Sequence, residues 1–272
     1  MDNPSPLIKQ GWLRAALFVL VFFAGAISIG LFFEKSTASS LLPILVSTVF
    51  SVALAALFRR IVDRRSVMSM GFQWRGFQHH GWIGFCLGIA LLGLGTLVLF
   101  ATQHLYWSNV QLHADDLFIA FVLMMLVALG EEIVFRGYIL RNLLRSMNKW
   151  VALVVSAFIF AVAHAGNPGI TSLAAVNILL GGLLLGLNYI YTRNLWFALL
   201  FHLSWNFFQG PVLGYEVSGL AIQSVLAPEL KGPAYLTGAE FGFEGSMLAT
   251  IVLAIAVLVM VLVYERKYKL SK

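Results

Sequence analysis

Cysteine is nearly missing from this chain: Cys86 is the only one among 272 residues. A single cysteine excludes an intrachain disulfide and any cysteine-rich zinc site, and Cys86 lies in an apolar run where it reads as a packing residue. Charge is also scarce. Charged residues make up 11% of the chain and apolar residues 60%, against about 25% and roughly 45–50% in an average soluble domain, so a soluble globule is excluded. No internal repeat, low-complexity tract or long flexible linker breaks the chain, and 1–272 reads as a single domain. The net charge of +6 does not point to nucleic acid, because the basic residues sit mostly in loops and not in a patch or stripe.

What the sequence does contain is long apolar runs. They fall at 13–33, 41–58, 81–102, 117–136, 150–166, 171–191, 195–210 and 246–264. A bilayer core of about 30 Å needs roughly 20 apolar residues in a helix, so the expected fold is all-α, a polytopic membrane bundle of about eight transmembrane helices. Runs five and seven are short and end near glycine, which predicts tilt, a break or partial burial in protein.

Lysine and arginine set the expected orientation, since cytoplasmic loops carry their excess. All but Lys35 and Lys231 lie before or at the start of run one, between runs two and three, at or after the end of run four, between runs six and seven, or after run eight. Both termini are therefore expected to be cytoplasmic. Run one follows Lys9 and Arg14 as a signal peptide would, but it exceeds the usual h-region of about 7–15 residues, and it reads as a retained anchor. Residues 138–149 place Leu140, Leu143, Leu144 and Met147 on one helical face and Arg141, Arg145 and Lys149 on another, which predicts a helix lying along the cytoplasmic interface.

Ionisable side chains inside a span cost at least a few kcal/mol, so they persist where pairing or function compensates. Glu131 and Glu132 end run four, His164 ends run five, and His202 lies inside run seven with Asn206 one turn later. Adjacent helical residues point about 100° apart, so the two glutamates do different work. Glu132 stands four before Arg136, the favourable order for an ion pair, and this assigns the pair to positioning. Glu131 has only Phe135 at that spacing and is the candidate general base; a structural ion pair beside a spectator Glu131 is the alternative. His202 and Asn206 share a face and can aim an imidazole and a carboxamide at one oxyanion, although for that pair taken alone interhelical hydrogen bonding is the favoured explanation. Gly182 and Gly186 favour close helix packing, and with Asn177 and Asn188 they receive no catalytic role. Three helices together thus offer the carboxylate, histidine and donors that hydrolysis of a carbonyl needs. Counted from the loop charges, Glu131 should lie roughly 8 Å and His164 roughly 20 Å from the cytoplasmic edge, so convergence requires tilt, a broken fifth helix or a water-filled crevice.

Glu131 to Arg136 resembles an E-E-x-x-x-R motif, Phe160 to His164 an F-x-x-x-H motif and His202 to Asn206 an H-x-x-x-N motif. In this order they resemble the CPBP intramembrane proteases, which include CAAX prenyl endopeptidases and bacteriocin-processing relatives. The resemblance covers about residues 130–210, within an expected catalytic core of about 117–210. It implies peptide-bond hydrolysis in a membrane-associated or lipidated peptide or protein, with Glu131 and His164 activating water and His202 and Asn206 holding the oxyanion. It leaves the cofactor open between none and Zn²⁺. Glu131, His164 and His202 could supply zinc ligands, while asparagine is a poor one, and a site without tightly bound metal is favoured. A non-catalytic membrane adaptor or bacteriocin-immunity protein with the same fold is the alternative function. The 210–245 connection, with Pro211, Tyr215, Tyr235, Phe241 and Phe243, reads as an external loop that could instead fold back as a lid.

Overall fold

The computed structural model describes residues 5–34 and 41–269; Lys35 and Lys272, both used in the orientation argument, lie outside them. Eight helices of twelve or more residues dominate: α1 (Gly11–Glu34), α2 (Leu41–Ile61), α3 (Gln78–Ala101), α4 (Ala114–Glu132), α5 (Lys149–Ala163), α6 (Ser172–Thr192), α7 (Trp196–Phe207) and α8 (Met247–Lys269). α4 continues without a break through a π-helical stretch, Ile133–Leu140, and a last turn, Arg141–Leu143. Among the described residues, six segments are long and apolar enough to cross a membrane: α1, α2, α3, the extended α4, α6 and α8. At about 1.5 Å per residue the other two, α5 and α7, fall short of a core of about 30 Å. They are the two runs the sequence marks as short. Leu20, Phe32, Leu97 and Leu262 are among many large side chains left exposed on the outer faces, which is a lipid-facing surface. The chain is an all-α integral membrane protein.

α3 packs most extensively against α7, and its sequence explains why. Gly81, Gly84 and Gly88 form a small-residue stripe there. A Cβ on Gly84 would lie 2.3 Å from the Phe197 carbonyl oxygen, and one on Gly88 2.2 Å from Ser204 Oγ. The helices can approach this closely only without those side chains. Gly182 and Gly186 of α6 likewise lie against Ala157 and Leu153 of α5.

Residues 138–143 do not form a separate helix along the interface. They are the buried end of α4, with Tyr138, Leu140 and Asn142 inside the bundle. Asn142 and Tyr138 meet Asp63 there, alongside Arg14 and Arg59, and these polar anchors draw the segment inward. The 210–245 connection also departs from an ordinary loop. Its strand β2 (Leu226–Leu230) pairs antiparallel with β1 (Leu105–Val110), Leu105 opposite Leu230 and Val110 opposite Leu226, and its other residues fold back over the bundle. Pro228 lacks an N–H, which a two-stranded ribbon tolerates because each strand has a free edge.

Candidate active site

The site is built on the end of α4. Glu131 Oε2 lies 3.7 Å from His164 Nε2 and 3.9 Å from His202 Nε2, so residues far apart in sequence converge on one carboxylate oxygen. The depth conflict dissolves because α4 ends at Leu143 and not at Arg136. Glu131 stands twelve residues before that end, about 18 Å along the axis, and His164 fifteen residues after Lys149, about 22 Å along α5. Arg136 is buried and paired, so it does not mark the membrane edge.

Each imidazole is oriented from behind. His164 Nδ1 donates to the Phe160 carbonyl oxygen at 2.8 Å, one turn earlier in the same motif. His202 Nδ1 donates to Glu132 Oε1 at 2.9 Å. Because a carbonyl or carboxylate oxygen only accepts, both Nδ1 atoms carry hydrogen and both Nε2 atoms face Glu131. Glu132 Oε1 also accepts from Arg136 Nη1 at 2.8 Å, with both side chains buried. The Arg136 guanidinium sits 4.4 Å above the Phe160 ring and donates through Nη2 to the Gly182 carbonyl at 3.2 Å. Phe160 in turn lies 4.5 Å from the His164 ring. The aromatic of the second motif thus joins the arginine of the first to the histidine of the second. The π-helical stretch begins directly after Glu132, a placement that recurs at functional sites.

Glu131 differs from its neighbour. Its side chain is 28% exposed where that of Glu132 is fully buried, and although one carboxylate oxygen of each lacks a hydrogen-bond partner, only that of Glu131 belongs to a side chain on a cavity wall. It faces a cavity of about 1160 Å³ that His164, His202 and Asn206 also line. Asn206, buried one turn beyond His202 on α7, completes the four candidates in one space. Sequence reasoning missed Glu244, Trp205 and Ser218 at the same cavity. Glu244 Oε2 accepts from the Ser218 N–H and hydroxyl at 2.9 and 2.8 Å, and its Oε1 accepts from Trp205 Nε1 at 3.2 Å. Asn167 Nδ2 adds a bond to the Ser218 carbonyl at 3.0 Å. No sequence signal announces these contacts, since they join three segments through the fold.

Two imidazoles and a carboxylate suit zinc chemically, but tetrahedral ligation at about 2.0–2.1 Å sets donor atoms about 3.4 Å apart. The 3.7 and 3.9 Å separations are wider, and among the described residues no group of three or more His, Cys, Asp or Glu side chains is arranged to hold a metal ion. As placed, these side chains do not fit a metal.

Residues 113–208 match the family model described as type II CAAX prenyl endopeptidase, Rce1-like. No curated protein matches the chain. The matched stretch runs from the start of α4 to the end of α7 and contains all three motifs and every residue of the histidine–glutamate cluster. Over that stretch the chain is similar to the CAAX-protease-type intramembrane endopeptidases.

Proposed function

We propose that the chain cleaves a membrane-associated or lipidated peptide with a water activated by Glu131. The observation that carries this reading is the convergence of Glu131 Oε2 with two oriented histidine Nε2 atoms on the wall of a large cavity. Glu131 takes a proton from the water, and its lack of a fixed donor leaves it free to do so. His164 Nε2 accepts the other O–H and holds the water in place. The oxygen attacks the scissile carbonyl, and the resulting oxyanion is met by Asn206 Nδ2–H and by His202. With Nδ1 committed to Glu132, His202 donates from Nε2 as an imidazolium, which Glu132 stabilises from behind. The intermediate collapses with cleavage of the C–N bond, and Glu131 returns its proton to the departing amine. Glu132 and Arg136 are positioning residues, and no step requires a metal.

Supporting features extend past the 117–210 core, because Glu244 and the segment from Val217 to Gln223 share the cavity wall. The arginine-rich loops support cytoplasmic termini. The test is cleavage of lipidated and unmodified peptides by detergent-purified protein, comparing wild type with Glu131→Gln, with and without chelator. Loss of cleavage in Glu131→Gln, with chelator without effect, is the expected result. Cleavage that persists in Glu131→Gln removes Glu131 as base, and cleavage abolished by chelator and restored by zinc removes the metal-free mechanism.

A further inference from the structure

The helices alternate in direction, so each has an end on the arginine-rich side and an end opposite it. The cavity draws almost wholly on the opposite ends. Its lining takes Gly30 from α1, Pro43 from α2, Asp116 from α4, Asn177 from α6 and Leu253 from α8, each within two turns of that end, and Asn167 from the turn after α5. No lining residue comes from 62–77, 144–148 or 193–195, the connections on the arginine-rich side. The deepest contributions, Phe135, Leu185 and Phe201, stop about 12, 10 and 8 Å short of the other ends of their helices.

Burial follows the same gradient. Phe135, Leu185 and Phe201 at the floor are buried, whereas Asp116, Gly166, Leu220 and Ala221 are exposed. Beneath the floor the bundle is sealed by the buried cluster of Asp63 with Arg14, Arg59, Tyr138 and Asn142. Above it runs a strap from Val217 to Gln223, pinned at Ser218 to Glu244 and at Gln223 to Asp116. The ionisable lining residues are Asp116, Glu131, Glu244, His164 and His202, with no lysine or arginine.

We infer that the site opens away from the arginine-rich loops, and that its substrates are neutral or basic peptide segments presented on the extracytoplasmic side by membrane-anchored polypeptides. This rests on the proposed protease activity and on cytoplasmic termini. A scissile bond confined to the cytoplasmic surface would meet the Asp63 seal and lie on the far side of the floor from Glu131. An acidic segment would meet three carboxylates with no lysine or arginine to receive it.

Single cysteines in a Cys86→Ala background test the geometry without needing a substrate. Ser66→Cys marks the arginine-rich side, Tyr235→Cys the opposite side, and Ser47→Cys the cavity wall; each is treated in oriented vesicles with a small membrane-impermeant thiol reagent. Ser47→Cys and Tyr235→Cys are expected to react only from the extracytoplasmic side and Ser66→Cys only from the cytoplasmic side. Reaction of Ser47→Cys from the cytoplasmic side alone, or from neither, overturns the inference about the opening. A reversed pattern for Ser66→Cys and Tyr235→Cys overturns it through the orientation instead. Activity is read separately, with single-span reporters carrying a randomised segment on one side of the membrane or the other, in cells making wild type or Glu131→Gln. Release by wild type alone, from the extracytoplasmic reporters alone and at segments poor in Asp and Glu, is expected. Release from the cytoplasmic reporters overturns the assignment of sides, and cuts enriched in acidic segments overturn the charge preference. Release from neither counts against the protease reading and so overturns the substrate assignment, while the thiol pattern still decides the side of the opening.

Discussion

Two carboxylates inside the same bundle live in opposite circumstances. Asp63, fully buried, accepts from Arg14 Nη1 at 2.8 Å, Arg59 Nη1 at 2.5 Å and Asn142 Nδ2 at 3.3 Å, with the Tyr138 hydroxyl at 3.5 Å. Glu131 has an oxygen with no donor at all and faces a cavity. A carboxylate whose lone pairs are occupied by fixed cations and amides is committed to the fold, and removing it strands the charges around it. One that is held in place but left unsatisfied is available to take a proton. The cost of burying such a group is tolerated where function compensates. The difference between the two thus lies less in burial than in who already occupies the lone pairs.

The sharpest way to break this comparison is to neutralise each carboxylate in turn. Glu131→Gln keeps the shape and removes the proposed base, and kcat should fall by about 10²–10⁴, the usual worth of a positioned general base. Its thermal midpoint in detergent should stay near that of wild type. Asp63→Ala should do the reverse. It leaves Arg14 and Arg59 buried without their acid, and a loss of about 3–5 kcal/mol is expected from breaking a buried pair on one side, read as a lowered denaturation midpoint. The activity per folded molecule should survive. If Asp63→Ala abolishes turnover in protein that remains folded, or Glu131→Gln unfolds it, the division between structural and chemical carboxylates fails.

Glu132 sharpens the contrast because it belongs to both categories: it pairs with buried Arg136 and it orients His202. Glu132→Gln keeps a carbonyl acceptor for either partner but loses the charge that supports an imidazolium. A drop of about 10–100-fold in kcat is expected, as for other residues that orient a catalytic imidazole, together with a measurable loss of stability. A change confined to KM would show that His202 contributes to binding and not to the oxyanion.

Much of this division is legible in the sequence, and its failures have physical causes. Helix periodicity separates Glu131 from Glu132, and the three motifs name the residues that the fold brings together. The short fifth and seventh runs are visible as composition. The depth of Glu131 is misread because arginine is taken to mark the membrane edge, whereas Arg136 is carried inside by Glu132, Phe160 and the Gly182 carbonyl. The same error turns the buried end of α4 into an expected surface helix. Asp63, in a cationic stretch, shows nothing of its four partners, two of which lie 49 and 79 positions away. Glu244 is hidden for the same reason, since its partners belong to a connection whose path is set by tertiary contacts.

The smallest effect comes from an ion pair that resembles the Asp63 cluster in chemistry and differs in exposure. Lys149 Nζ lies 2.8 Å from Glu265 Oε1, joining the start of α5 to the end of α8, with the two side chains 35% and 29% exposed. The same ammonium sits 4.2 Å from the centre of the Tyr191 ring. Water and salt screen such a pair, so Lys149→Met should lower stability by no more than about 1 kcal/mol, and part of even that loss should be the cation–π contact. The methionine stem can still cover Tyr191, which further softens the change. Raising the ionic strength should narrow the gap between Lys149→Met and wild type, while leaving the gap between Asp63→Ala and wild type nearly unchanged, because screening reaches exposed charges and not buried ones. Equal salt sensitivity in the two variants would mean that the Asp63 cluster is open to water, and with it the seal beneath the cavity floor.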